Sequence, residues 1–149
     1  MSSLAAETIA ADASVESPLW ASALRRPFDW EPVFSPLAPD AFALGLETVY
    51  EAYLVHYGRP RLFDAPDRNE AVLLGDYLYA HGLVRIAAAG GVAAVDAMSK
   101  LISRCAALRA EGAAGDSDAW VDAARELGGT PHPDEVALAV ERHSARVAA

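Results

Sequence analysis

Cysteine, histidine and basic residues are all scarce in this 149-residue chain, and each scarcity removes a class of function. One cysteine, Cys105, excludes an internal disulfide and any multi-cysteine metal site, and its apolar helical surroundings read as those of a buried, inert thiol. His56, His81, His132 and His143 are scattered without ligand spacing, and no Ser/His/Asp or Cys/His arrangement stands out. Twelve Lys and Arg against 21 Asp and Glu give a formal charge of -9. Without basic clusters there is nothing to grip a phosphate backbone, so nucleic acid is not an expected partner, and an acidic surface repels anionic lipid. Long apolar runs are also missing. The longest weakly polar stretch, Ile86 to Val95, is about half of the roughly 20 residues that a membrane span takes. The opening "MSSLAAETIAADASVESP" has neither a basic start nor a sustained apolar core, so no secretory leader and no transmembrane segment are expected, and a cytoplasmic location follows.

What is present is alanine and helical periodicity. With 53% hydrophobic residues and no polar/apolar alternation long enough for a strand, the chain reads as one all-α domain, a bundle of about four to six helices. Residues 1–17 are Ala/Ser/Glu-rich without strong periodicity and read as a flexible N-terminal tail, frayed or weakly helical. Residues 18–39 form an arm with prolines at 18, 27, 32, 36 and 39, which forbid a long helix, and with Trp20, Phe28, Trp30 and Phe34, which must lie over a helical body or a partner. From residue 40 to 149 the helical domain follows. Phe42, Leu46, Val49, Tyr53 and Tyr57 make a stripe behind a capping Asp40. After a Gly/Pro loop, Asp67 caps a helix over about 68–88 that is apolar most of the way round and so is expected to be buried on nearly all sides. "AGG" closes it, and Val92, Val95, Met98, Leu101, Ile102, Cys105 and Leu108 share one face of the next helix. A short helix over "DAWVDAAREL", the turn "GGTPHP" and a last helix opened by Asp134 and Glu135 complete the chain.

Inside the most apolar helix, Gly75 and Asp76 look out of place. Glycine weakens a helix interior by about 1 kcal/mol relative to alanine, and a buried unpaired carboxylate costs more. The segment that contains them, "GRPRLFDAPDRNEAVLLGDYLYAHGLVRIA", resembles the region of trans-polyprenyl diphosphate synthases that follows their first aspartate-rich motif, a "RRGxP" loop leading into a helix with "xVLxGDyLxxxA". Gly58 and Pro60 match the loop; Val72, Leu73, Gly75, Asp76, Tyr77, Leu78 and Ala80 match the helix without a gap. "AAVDAMSKLISRCAALRAEG" resembles the family's following helix, and the resemblance spans about Ala41 to Gly112.

The resemblance also shows what this chain has lost. The family's "DDxxD" motif falls eleven residues before the loop glycine, on Glu47, where the sequence reads "ETVYE". That motif holds the Mg²⁺ ions that neutralise a departing diphosphate, and hard cations want several clustered carboxylates. Glu47 and Glu51 are a degenerate remnant that implies no metal site. The loop's paired arginines are replaced by His56 and Tyr57, with Arg59 and Arg61 displaced, and no second aspartate-rich helix follows Gly112. By resemblance the chain is a small, non-catalytic regulatory subunit of a heterodimeric bacterial polyprenyl diphosphate synthase, a truncated isoprenoid-synthase-like bundle. It would stabilise a full-length catalytic partner, which carries the Mg²⁺, complete its elongation tunnel and help set prenyl chain length, with no cofactor of its own. It could form a homodimer when alone. The resemblance places Tyr50, Tyr53, Val72, Leu73, Tyr77, Ala80, Leu83 and Val84 at the interface and expects another subunit against Gly75.

Plainer readings stand beside these. Glu47 and Glu51, four apart on a helix, suit a solvated acidic face, and Arg25, Arg26, Arg59 and Arg61 suit solvated surface rather than diphosphate binding. Tyr50, Tyr53, Tyr57, Tyr77 and Tyr79 fit either interface anchors or core. "AAAGGVAA" fits either close helix approach or a bare helix end and restart. Two other functions remain open: a helical interaction module on the same scaffold without prenyl chemistry, and a minimal enzyme that uses Glu47 and Glu51.

Overall fold

A computed structural model describes residues 3–147. It contains six helices: α1 (Leu4–Glu16), α2 (Pro18–Ala23), α3 (Ala43–Tyr57), α4 (Arg68–Glu111), α5 (Asp116–Glu126) and α6 (Pro133–Val147), with short 3₁₀ turns at Ser35–Leu37 and Asp40–Phe42. Among the described residues the only β pairing is an isolated bridge between Leu24 and Phe63. The all-α architecture is as the periodicity predicts.

The tail, expected to be flexible or at most weakly helical, is a packed helix. Ser3 caps α1 by accepting from the Ala6 N–H at 3.0 Å, and Ala6, Ile9, Ala10 and Ala13 are buried. Together with Trp20, Ala23, Ala52, Leu62, Phe63, Leu74 and Leu78, three of them form a second, smaller core. Small alanines bury well without giving a strong apolar stripe, which is why the sequence pattern is silent there. Residues 1, 2, 148 and 149, the outermost parts of the expected tail and helical domain, lie outside the described residues.

The proline-rich arm lies over the helical body. Its backbone pairs with the loop before α4 through Arg25 N–H to Leu62 O and Asp29 N–H to Arg61 O, both 2.9 Å. Phe34 stacks on Trp120 of α5 with centroids 5.4 Å apart and meets Tyr50 edge-on at the same distance. Asp40 does not cap α3: it opens a 3₁₀ turn, and α3 begins after Phe42 without a side-chain cap. Asp67 does cap α4, accepting from the Glu70 N–H at 2.9 Å.

At 44 residues α4 is the longest element, and it is two limbs joined at Gly91, whose φ of 68° and ψ of -156° are non-helical. "AAAGG" therefore ends one helical limb and starts the next across a kink at Gly91, as the reading of a helix end and restart has it. The first limb crosses α3 closely, because Gly82 faces Val49 and Gly45 of α3 faces Ile86 with no room for a β-carbon. Gly75 has a neighbour too, and it belongs to the same chain. An added β-carbon would lie 2.1 Å from Nε2 of His56. The expectation of another subunit against Gly75 is thus corrected. The second limb buries Ala94, Ala97, Met98, Leu101 and Cys105 in the main core with α5.

Candidate functional site

The two glutamates four apart on α3 point inward, where a carboxylate survives only if it is paired. Glu47 is 2% exposed and Glu51 0%, and the fully buried Arg61 lies between them. Arg61 donates from Nη1 to Glu47 Oε1 at 2.5 Å and from Nε to Glu51 Oε1 at 3.0 Å. The remaining oxygens are occupied as well. Glu47 Oε2 accepts the N–H groups of Val33 and Ser35, both at 3.2 Å, and Glu51 Oε2 accepts those of Arg61 and Leu62, both at 2.9 Å. Trp30 covers the guanidinium at 4.2 Å. The site is a clasp that ties the arm and the loop before α4 onto α3. It overturns the expectation of a solvated acidic face at Glu47 and Glu51, and of a solvated Arg61. Among the described residues no three His, Cys, Asp or Glu side chains gather as a metal site.

A second polar cluster lies where α3 packs against α5 and α6. Asp116 Oδ2 accepts from the Tyr53 hydroxyl and, at 2.8 Å, from Arg109 Nε, while the Tyr50 hydroxyl meets His143 Nδ1 at 2.9 Å. Burial pushes His143 down to about 4, so its ring is neutral near pH 7, and pushes the Tyr50 and Tyr53 phenols well up. Cys105 is also held protonated, its thiol raised to about 12 by burial. Neither a thiolate nor an ionised tyrosine is therefore at hand for nucleophilic chemistry near neutral pH.

The other feature with functional potential is a surface. Leu74, Gly75, Leu78, Gly82 and Ile86 turn the buried side of α4 towards α3 and α1. On the opposite side Val72, Leu73, Ala80, Val84, Ala87 and Ala88 are exposed along one ridge. Val72 is 44% exposed, Leu73 56% and Val84 66%, high values for aliphatic side chains in register on one helix. The helix expected to be buried all round is thus bare on one side within this chain. The interface candidates separate accordingly. Val72, Leu73, Ala80 and Val84 share the ridge. Leu83 is partly buried against the main core, and Tyr77 is half-buried beneath α2, its ring 6.4 Å from that of Trp20. Tyr50 and Tyr53, each 1% exposed, are core residues and not surface anchors.

α4 also bears on the expectation of no membrane-spanning segment. By length and composition it is long and apolar enough to cross a membrane, with 22% of its most apolar 18-residue window buried. Its first limb nevertheless carries Arg85, paired with Asp12 of α1 at 2.5 Å, and Asp76 on the bare ridge. No family model matches the chain, and no curated protein or solved structure matches it either.

Proposed function

We propose that this chain is a non-catalytic subunit of a two-component polyprenyl diphosphate synthase, which docks on its catalytic partner through the bare ridge of α4. It would stabilise that partner and help set product length, doing no ionisation or prenyl transfer itself. The observation that carries this reading is the ridge: a helix that resembles a synthase helix keeps four aliphatic or small side chains, Val72, Leu73, Ala80 and Val84, in register on its solvent side. Covering a Val or Leu side chain is worth about 1.5–3 kcal/mol, so a partner gains much from this face. The clasp adds support, because both glutamates are buried and committed to Arg61 and backbone N–H groups rather than presented to a diphosphate-bound Mg²⁺. A protein partner suits the ridge better than lipid, since the other side of the limb is committed to α3 and the ridge itself bears Asp76. The test is co-purification with a full-length synthase from the same genome that carries both aspartate-rich motifs. A stoichiometric complex lost on Val84→Glu is expected, and no complex would remove the reading.

The exposed ridge supports one second reading, a helical interaction module that uses it without prenyl chemistry. A complex with the synthase that leaves turnover and product length untouched would favour it.

A further inference from the structure

Asp76 is the one charged residue among the exposed α4 positions from Val72 to Ala93. Its side chain is 65% exposed, and its nearest potential cation, His56, lies 3.7 Å away. That imidazole is engaged elsewhere: Nε2 is 3.2 Å from the Val72 carbonyl, an acceptor, so it donates its proton there. With Val72 and Leu73 before it and Ala80 and Val84 after it, Asp76 sits in water now and in an apolar interface once the ridge is covered. A carboxylate taken out of water without a counter-charge is costly enough to oppose docking.

Resting on the docking reading above, we infer that the partner surface is an apolar helix face carrying an arginine that meets Asp76. The charge distribution argues for this occupant over others. Two copies of the ridge facing each other across a twofold axis would bury two Asp76 carboxylates whose one exposed candidate cation on the first limb of α4 is Arg68, and an antiparallel pairing that sets Arg68 against Asp76 runs Ala80 and Val84 past the start of the other copy's α4. An anionic lipid surface would meet both Asp76 and a chain of formal charge -9. A partner arginine satisfies the carboxylate with a planar, weakly hydrated fork, and its attraction to an acidic chain speeds encounter. Asp76 then acts as the register pin of the interface: the aliphatic positions supply area, and the ion pair fixes which helix docks and in what alignment.

The inference is tested by measuring binding of the purified full-length synthase to the wild-type chain and to Asp76→Asn, Val84→Glu and, as a control on another helix, Asp118→Asn. All three positions are exposed, so circular dichroism should show folded variants. We expect Val84→Glu to abolish the complex, Asp118→Asn to leave it unchanged, and Asp76→Asn to weaken it at least about 30-fold, chiefly through faster dissociation. Asp76→Asn that binds as tightly as wild type while Val84→Glu does not bind would overturn the ion pair and leave the docking reading standing. Full binding by both would overturn both. A wild-type chain that ignores the synthase and sediments as a dimer, dissociated by Val84→Glu, would assign the ridge to a second copy and would also overturn both.

Discussion

Arg61 decides whether the two acids of α3 are an asset or a liability. With it, Glu47 and Glu51 have a guanidinium and four backbone N–H donors between them. Without it, two buried carboxylates lose their counter-charge, which in comparable sites costs about 3–5 kcal/mol. Arg61→Met should therefore lower the unfolding free energy by that order in urea titration; a change within about 0.5 kcal/mol, as at an ordinary surface site, would refute the clasp. His143 gives a second residue-scale prediction. Its folded proton affinity, about 4, lies below the ordinary 6.5, so as pH falls the unfolded chain takes up the proton first. The stability it contributes is complete above about 6.5 and is lost as pH falls towards about 4, a difference on the order of 3 kcal/mol. His143→Asn, which can still meet the Tyr50 hydroxyl, should flatten stability against pH across that window. An unchanged slope would place the effect elsewhere. The clasp was not legible in the sequence, because a four-residue acidic spacing on a helix fits a solvated face equally well. The compensating arginine lies in a loop, and only the fold brings it between the two acids.

At the scale of elements, the fold rests on the crossing of α3 with α4, and glycines set how near they come. Gly82 and Gly75 both lack room for a β-carbon, but for different reasons. At Gly82 the obstacle is the β-branched side chain of the fully buried Val49, 2.5 Å from the added atom, with the Val49 backbone behind it at 3.1 Å. At Gly75 it is the end of the His56 side chain, beside a cleft lined by Val55, Tyr57, Ala65 and Val72 into which the ring can swing. Gly82→Ala should thus destabilise by about 1–3 kcal/mol despite the better helix propensity, whereas Gly75→Ala should stay within about 1 kcal/mol of wild type. Thermal unfolding of the pair checks this, and equal losses would refute it. Helix positions and the Asp67 cap were legible from apolar spacing and capping chemistry. α1 was not, since its buried face is mostly alanine, and neither was the bare side of α4, since an apolar pattern says that a helix wants cover without saying whether this chain provides it.

For the whole molecule, an acidic chain keeps Glu47 and Glu51 locked in a clasp and leaves one aliphatic ridge exposed, and the proposed role in partner contact rests on that ridge. The resemblance that suggested this spans about Ala41 to Gly112, which takes in α3, the loop and both limbs of α4, and Val72, Leu73, Ala80 and Val84, named through it, were found exposed. Tyr50 and Tyr53 were not, because tyrosine suits a core and an interface alike, and only packing against Trp120 and His143 places them inside. The most direct measurement is product analysis in a prenyl-transfer assay with isopentenyl and allylic diphosphates and Mg²⁺. It would use the chain alone, the full-length synthase alone, and the two together. The account predicts no product from the chain alone and, on mixing, higher turnover with a changed product length that Val84→Glu returns to that of the synthase alone. Turnover by the chain alone, or identical rate and product length with and without it, would contradict the account.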